Sequence, residues 1–370
     1  MSTGDAGKLL LLSVGYGQGH HSAAAALAER YEESGWRCRI VDICAEAHPV
    51  AFRCTQLFYQ FCVRRAPWLW GVTYSLTGTA DWSRMVQWPL FNGLLECTRN
   101  MLEEWKPELI LCTYPLFAYM LDALRNRGFH VPPYALVVTD AREISRPWMR
   151  SEAALVLVPD DGSRSRVIER YALSDDRVIT TGFPVKGAFG PSEHRGAPGA
   201  SLLKVLYGAY RQTQGVVNDI AAMLAEFPQM QLTVLAGRRA RALQRLFKTE
   251  CTSGRLVVLQ ETDCMHRLLG ESHFYVGKAG AATMFECYAS RVPMLVNFLL
   301  PGQELGNLEL LQEDAAGFHV ESTAHLVATL RSLLADDAAG WKRLCGAMHL
   351  SGRTGAAARI ESVVRLKYGV

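Results

Sequence analysis

Long hydrophobic runs are lacking in this chain of 370 residues. The uncharged stretch from Leu109 to Leu121 has 13 residues and contains Pro115, whereas about 20 apolar residues are needed to cross a bilayer. The opening residues, MSTGDAGK, lack the basic start and the apolar stretch of a signal peptide. We therefore expect a cytoplasmic protein without a membrane-spanning helix.

Paired cysteine motifs and a strong net charge are absent too. The 10 cysteines form no C-x-x-C pair and no Cys/His spacing typical of zinc, which indicates reduced cysteines in a cytosolic protein. A formal net charge of +3 is too small to imply nucleic acid as a partner. With 49% hydrophobic and 20% charged residues, the composition is that of an ordinary globular protein.

The length and the pattern of apolar segments predict two domains, because single cores stop growing at roughly 250 to 300 residues. Apolar strands alternate with amphipathic helices, beginning with a strand at Leu9 to Val14 and a helix at Ala23 to Ser34. The alternation stops at a Gly/Pro-rich segment and then resumes. We expect an α/β fold of two tandem Rossmann-like, doubly wound domains with a cleft between them. The predicted parts are an N-terminal domain over residues 1–190, a linker over 191–201 and a C-terminal domain over 202–370, whose last helix is a candidate to pack back on the first domain.

The stretch GYGQGHHSAAAAL, residues 15–27, follows the first predicted strand. In a doubly wound sheet, ligands bind at such strand ends, where glycines such as Gly17 and Gly19 let the backbone approach. A dinucleotide site is weakly indicated, because the third glycine is out of register although Asp42 has a suitable offset. We expect His20 to be catalytic or substrate-binding, since histidine exchanges a proton near neutral pH. The alternative is a helix cap or a surface residue, which is our expectation for His21.

The second half carries two polar motifs at neighbouring strand ends, within GKAGAATMFE and PGQELGN. A helix N-terminus with a nearby lysine suits a diphosphate, and Glu286 one turn later suits ribose hydroxyls. The second motif offers amide and carboxylate groups to a sugar. The alternative is a close-packed turn followed by a surface loop. The candidate donor-binding residues are Lys278, Gly280, Ala281, Thr283, Glu286, Gln303, Glu304 and Asn307.

These motifs resemble those of the glycosyltransferase family that contains monogalactosyldiacylglycerol synthases and processive diacylglycerol glucosyltransferases, of the GT-B fold. Residues 278–286 resemble its K-P-G-G-x-T-x-x-E segment, and PGQELGN resembles P-G-Q-E-x-x-N. In the first half, GQGHHSAA resembles the family's G-x-G-H turn, VVTD its T-D strand end, and TTGFPVKGAF its T-G-x-P-x-x-x-x-F segment. The matches run in the family's order along most of the chain.

The resemblance implies an inverting hexosyltransferase that moves a sugar from a UDP-sugar to a membrane lipid, most simply diacylglycerol. It makes His20 a candidate general base, with Asp140 as the alternative base or as a residue that orients the acceptor. It implies no cofactor and no metal, because Lys278 and the helix start near Gly280 would stabilise the departing diphosphate. The alternatives are a polyprenyl-linked or small-molecule acceptor, and a nucleotide-binding protein of the same fold without catalysis.

Two departures from the family pattern concern the donor site. The family's proline and paired glycine are Ala279, Gly280 and Ala281 here, and alanine restricts φ. The loop YGAYRQTQG has fewer glycines than the corresponding loop of relatives. Arg211 is a candidate to contact phosphate in its place; the alternative is that the loop has lost this role.

Aromatic and basic residues are mixed along the segments between Phe52 and Phe91. Such segments suit an anionic membrane surface, where rings lie at headgroup level and cations meet phosphates. We expect peripheral association with the inner face of the cell membrane; the alternative is that the tryptophans pack between helices. The candidate membrane residues are Arg64, Arg65, Trp68, Trp70, Trp82 and Trp88.

Overall fold

The computed structural model describes residues 6–16, 18–193, 195–199, 202–302 and 304–370. The chain divides into two compact units. The first comprises Met1–Lys186, Pro301–Gly306 and Thr354–Val370, and the second comprises Gly187–Leu300 and Asn307–Arg353.

The first unit is built on a six-stranded parallel sheet in the order β2-β1-β3-β4-β5-β6. Its strands are β1 (Lys8–Leu12), β2 (Arg37–Val41), β3 (Leu109–Cys112), β4 (Tyr134–Val137), β5 (Leu155–Val158) and β6 (Val178–Thr180). Its helices are α1 (Gln18–Glu33), α2 (Ile43–Ala47), α3 (Pro49–Arg65), α4 (Pro67–Thr79), α5 (Trp82–Met85), α6 (Asn92–Trp105), α7 (Pro115–Asn126) and α8 (Asp161–Tyr171). Short 3₁₀ helices lie at Pro89–Phe91 and Arg146–Trp148.

The second unit repeats this architecture with the strand order β12-β11-β10-β7-β8-β9, again parallel throughout. Its strands are β7 (Leu203–Gly208), β8 (Met230–Leu235), β9 (Leu256–Leu259), β10 (Phe274–Lys278), β11 (Met294–Phe298) and β12 (Gly317–His319). Its helices are α9 (Thr213–Glu226), α10 (Ala240–Leu246), α11 (Lys248–Thr252), α12 (Met265–Glu271), α13 (Ala281–Ser290), α14 (Glu304–Glu313) and α15 (Thr323–Leu350), the last interrupted at 335–338. A 3₁₀ turn precedes α10 at Gly237–Arg239.

Helices cover both faces of the first sheet, as the apolar strands require. Alternate residues of a strand point to opposite faces, and all four leucines from Leu9 to Leu12 are fully buried. Leu10 and Leu12 pack in one core cluster, and Leu9 and Leu11 in a second. The second cluster includes Ile360 of the last helix, α16 (Ala356–Tyr368). The predicted doubly wound α/β architecture is therefore confirmed.

The Gly/Pro-rich segment after Lys186 packs on the second unit. Arg195 donates to the backbone carbonyls of Ser290 and Arg291 at 2.9 and 3.0 Å. The Nε2 atom of His273 lies 3.2 Å from the carbonyl oxygen of Gly196. Arg195 and Gly196 are thus anchored by tertiary hydrogen bonds.

Candidate active site

The glycine turn after β1 is held by hydrogen bonds on two sides. The Gly15 amide donates to Oδ2 of Asp42 at 2.8 Å, and Gln56 donates to the Gly15 carbonyl at 2.7 Å. Oδ1 of Asp42 also accepts from the Ala45 amide and so caps α2. Asp42 therefore shapes the turn, which argues against the ribose-binding role of a dinucleotide site. Gly17 lies outside the described residues, and Gly19 lies in the first turn of α1 with open space around its Cα.

His20 lies where three neighbouring strands end. It is the third residue of α1, which follows β1, while Thr113 follows β3 and Thr139 comes two residues after β4. The His20 Nδ1 atom lies 2.7 Å from the Thr113 carbonyl oxygen and 2.8 Å from Oγ1 of Thr139. Because a carbonyl oxygen can only accept, Nδ1 carries the proton and Nε2 keeps its lone pair. Nε2 is thus the atom that can take up a proton.

Burial keeps this imidazole neutral. It lowers the pKa of His20 to about 4, against the opposing effect of the hydrogen bond to Thr113. The ring contacts Tyr114 edge-on with the centroids 5.1 Å apart, and the Trp148 ring centroid lies at 6.3 Å. At neutral pH the side chain is therefore a base of fixed orientation.

Asp140 lies beside the same tryptophan. The Trp148 indole donates to its Oδ2 at 3.1 Å. Burial raises the pKa of the Asp140 carboxyl to about 6, the Trp148 hydrogen bond lowers it, and the nearby carboxylate of Glu304 raises it further. Trp148 thus contacts both ionisable candidates of the first unit, and it orients Asp140 through its indole nitrogen.

Three residues of this site were not among the predicted site residues, although Thr139 belongs to the VVTD segment that resembles the family's T-D strand end. Thr113 and Thr139 had a usable signal, because both follow strands whose neighbours carry candidate residues. Trp148 had none, because it ends a three-residue 3₁₀ helix that is too short to carry a periodic pattern. It is placed by bonds such as that from the Tyr119 hydroxyl to the Pro147 carbonyl at 2.8 Å.

In the second unit, β10 delivers the chain to the start of α13. Gly280 is the N-cap residue of that helix with φ −71°, and no side chain caps the helix end. Ala279 is fully buried, and its carbonyl accepts from the Asn307 side-chain amide at 2.9 Å. The ammonium of Lys278 lies 5.6 Å from the ring centre of Tyr210. Ala281, Thr283 and Glu286 all lie partly buried on α13 itself.

Arg211 forms an ion pair within the second unit. Its Nη1 donates to the fully buried Asp219 carboxylate at 2.8 Å. The same carboxylate accepts from the Tyr207 hydroxyl at 2.8 Å and from the Asn297 amide at 3.1 Å. A buried carboxylate requires such a cationic partner, so Arg211 stabilises this network, and its contact with phosphate stays a prediction.

The PGQELGN motif is divided between the two units. Residues 301–306 group with the first unit, whereas Asn307 groups with the second. Glu304 is fully buried, and its carboxylate contributes to the raised pKa of Asp140. Asn307 donates to the Ala279 carbonyl in the turn before α13. Both side chains thus contact protein groups, and their role in binding the sugar stays a prediction; Gln303 lies outside the described residues.

Helices α3 and α4 and the segment after α5 expose an unusually apolar surface, which we call the apolar face. Its residues are Val50, Leu57, Phe58, Phe61, Trp68, Val72, Leu76, Trp88 and Leu90. Trp68 is 70% exposed and Trp88 60%. Within α4, Trp68, Val72 and Leu76 are spaced four residues apart, so they form one stripe. Large apolar side chains exposed in such number on neighbouring segments are typical of a surface that binds a partner or a membrane.

Two of the predicted membrane tryptophans differ from the prediction. Trp82 is only 8% exposed, its indole donates to the Thr77 carbonyl at 2.9 Å, and its ring packs near Tyr114. Trp82 is therefore a core residue. Trp70 is partly buried against Tyr59, with ring centroids 4.7 Å apart. The side chains of Arg64 and Arg65 lie outside the described part of the chain.

Two features are absent from the described residues. No helix among them is long and apolar enough to cross a membrane. No group of three or more His, Cys, Asp or Glu side chains among them is arranged to hold a metal ion.

Known proteins are similar to this chain in sequence. Residues 20–185 match the family model for monogalactosyldiacylglycerol (MGDG) synthase. A processive diacylglycerol β-glucosyltransferase of Bacillus cytotoxicus is 25% identical over 340 residues, which cover 89% of this chain and 86% of that protein.

Solved structures share the fold over nearly the whole chain. The glycotransferase of kitacinnamycin has a TM-score of 0.64 at 16% identity and covers 98% of this chain and 100% of its own. The MnaA–UDP complex of S. aureus has a TM-score of 0.64 at 11% identity, covering 98% and 97%. The resemblance seen in the motifs is thus confirmed: this chain has the GT-B fold and is similar to the glycosyltransferase family of monogalactosyldiacylglycerol synthases and processive diacylglycerol glucosyltransferases.

Proposed function

We propose that this protein transfers a hexose from a UDP-sugar to diacylglycerol at the surface of an anionic membrane, with inversion at the anomeric carbon. The observation that carries the proposal is the state of His20. Its Nδ1 proton is committed to the Thr113 carbonyl, so Nε2 is a neutral acceptor at the strand ends where this fold binds ligands.

His20 acts as the general base in this proposal. The acceptor hydroxyl oxygen attacks the anomeric carbon, and its proton passes to Nε2. The bond from that carbon to the diphosphate oxygen breaks, and the electron pair leaves with UDP. Inversion follows from a single displacement. Asp140, ionised above about pH 6, stabilises the imidazolium and orients the acceptor. The hydrogen bond from Nδ1 to the Thr113 carbonyl favours His20 as the base, because it leaves the lone pair on Nε2. Asp140 is the alternative base, because its pKa lies nearer to neutral pH.

The second unit binds the donor. The uncapped N-terminus of α13 and the ammonium of Lys278 provide partial and full positive charge for the diphosphate. They stabilise the leaving group as its charge grows, which is the role that a metal ion has in other transferases. Glu286, one turn into α13, accepts hydrogen bonds from ribose. Transfer is therefore expected to proceed without added metal.

The apolar face gives access to a lipid that stays in the bilayer. Trp68, Val72 and Leu76 insert at headgroup level, while exposed Arg53 and Arg84 attract anionic headgroups. The relatives named as diacylglycerol glucosyltransferases support a diacylglycerol acceptor. The proposed location is the inner face of the cell membrane.

An acceptor panel tests this function. Each of several labelled UDP-sugars is offered with diacylglycerol in anionic vesicles, with a polyprenyl phosphate in the same vesicles, or with soluble sugars, all in EDTA. Labelled glycolipid from diacylglycerol alone is the expected result. Label in either other acceptor would replace the proposed substrate, and UDP binding without any product would indicate a nucleotide-binding protein without catalysis.

A further inference from the structure

The chain makes a strained turn immediately after Asp140. Arg142 has φ +60°, in the left-handed region that non-glycine residues rarely adopt. The Glu143 amide donates to the Ala141 carbonyl at 2.7 Å. A hydrogen bond between residues two apart, with positive φ at the residue between them, defines the rare strained form of γ-turn. Such a conformation persists only where the surroundings over-determine it.

Contacts from the end of β5 over-determine this one. The Arg142 amide donates to Oγ of Ser163 at 2.7 Å, and the Arg142 guanidinium lies 3.1 Å from Oδ1 of Asp160. Asp160 is 2% exposed and also caps α8 by accepting from the Ser163 amide at 3.0 Å. The turn after β4 is thereby tied to the neighbouring strand through one arginine.

Two glycines leave the room that this arrangement needs. A Cβ on Gly162 would collide with the guanidinium of Arg142, so the arginine lies directly over that Cα. A Cβ on Gly306 would collide with the Ala141 carbonyl and the Glu143 amide, the two groups that close the turn. The turn is therefore clamped by Arg142 and covered by Gly306, within the first unit.

We propose that Arg142 is the positioning residue for Asp140, and that Gly162 and Gly306 are required to keep the turn in its strained form. This inference rests on the proposed function, since it gives Asp140 a role in transfer. In this proposal Arg142 acts through the backbone turn that follows Asp140 and not through contact with a substrate; it fixes the direction in which the Asp140 carboxylate points.

The variant Gly162→Ala tests the clamp without removing either charge. The added methyl displaces the guanidinium from Asp160, and because a flexible side-chain end can shift, the fold is kept. Arg142→Gly is the second variant, since glycine accepts positive φ but cannot reach Asp160. A matched control is Gly346→Ala on α15, where the new methyl meets open space.

We expect both test variants to lower kcat by about 10 to 100-fold, the loss typical of a misplacement of about 1 Å. The KM for the donor should stay within about twofold, and the control should match the parent. The acid limb of the pH profile should also move to a lower pH than its position near pH 6 in the parent. Burial is the main cause of the raised pKa of Asp140, so a displaced and less buried carboxyl group should have a lower pKa. Equal kcat and an unmoved limb in both variants would overturn the proposal.

A spectroscopic measurement separates this inference from the proposed function. The Trp148 indole N–H bonds to Asp140, so its ¹⁵N–¹H NMR signal, assigned with Trp148→Phe, reports the carboxylate position. The signal should shift in Gly162→Ala and stay in place in Gly346→Ala, whether or not a substrate is known. An unshifted signal in Gly162→Ala overturns the positioning role, whereas full activity of Asp140→Asn overturns only the catalytic role of Asp140.

Discussion

The Nδ1 atom of His20 and the carbonyl oxygen of Thr113 lie 2.7 Å apart, although 93 residues separate them in the chain. This hydrogen bond settles the tautomer of the imidazole, since the carbonyl has no proton to give. It also joins the start of α1 to the end of β3, so the sheet itself orients the ring. The proposed chemistry of the first unit depends on this relationship.

Replacing His20 by alanine should therefore remove transfer and spare the donor site. We expect His20→Ala to lower kcat by about 10²- to 10⁴-fold, the usual contribution of a positioned general base. UDP affinity, measured by calorimetry, should change by less than about threefold. His21→Ala is the matched control, because the exposed neighbouring side chain should leave kcat unchanged. Parent-like activity of His20→Ala would refute the assignment of the base.

The pH dependence of kcat/KM distinguishes the roles of the two ionisable groups. The Asp140 carboxylate is lost below about pH 6 and neutral His20 below about pH 4. If transfer needs both, the rate should be constant above about pH 7 and fall as pH drops through 6. An acid limb near pH 4 would show instead that the charge on Asp140 is not needed.

Glu286 should affect donor binding more than chemistry. The loss of one charge-assisted hydrogen bond costs roughly 1.5 to 3 kcal/mol, so Glu286→Gln should raise the donor KM about tenfold or more. The kcat at saturating donor should stay within about threefold. Glu250→Gln, on α11 of the same unit, is the control for charge. A loss confined to kcat would place Glu286 outside the ribose site.

Membrane binding should depend on Trp68. Removing a large apolar side chain from the interface costs about 1.5 to 3 kcal/mol, so Trp68→Glu should bind phosphatidylglycerol vesicles at least about tenfold more weakly. Vesicle flotation measures the bound fraction. Leu366→Glu on α16 is the control, because Leu366 is 88% exposed but lies outside the apolar face. Equal flotation of Trp68→Glu and the parent would contradict the membrane proposal.

The doubly wound fold was predictable because its signals are local. Runs such as Leu9 to Leu12, buried on both faces, are typical of parallel strands. The first helix begins at Gln18 and not at Ala23, because Gly19 and His20 form its first turn despite their modest helix propensity. Helix propensity therefore predicts the ends of a helix less well than its interior.

What escaped prediction depends on contacts between distant segments. The carboxylate that binds Arg211 belongs to Asp219 on α9. It lies in a buried network that also includes Asn297 on β11. Trp68 and Trp82 both lie in the region of mixed aromatic and basic residues, yet Trp68 is exposed and Trp82 lies in the core. Only the packing of α4 and α5 distinguishes them. The strained turn at Arg142 likewise follows from Asp160 and Gly162, which no local pattern relates to it.

The anomeric configuration of the lipid product tests the central claim most directly. The chain is incubated with the UDP-sugar that it uses, whose sugar is α-linked to the diphosphate, and with diacylglycerol in anionic vesicles containing EDTA. The glycolipid is then purified and its anomeric proton is recorded by NMR. A β-linked hexosyl diacylglycerol is the predicted result, and its absence in His20→Ala would tie the inversion to that base. An α-linked product, or no sugar on the lipid while UDP still binds, would contradict the account.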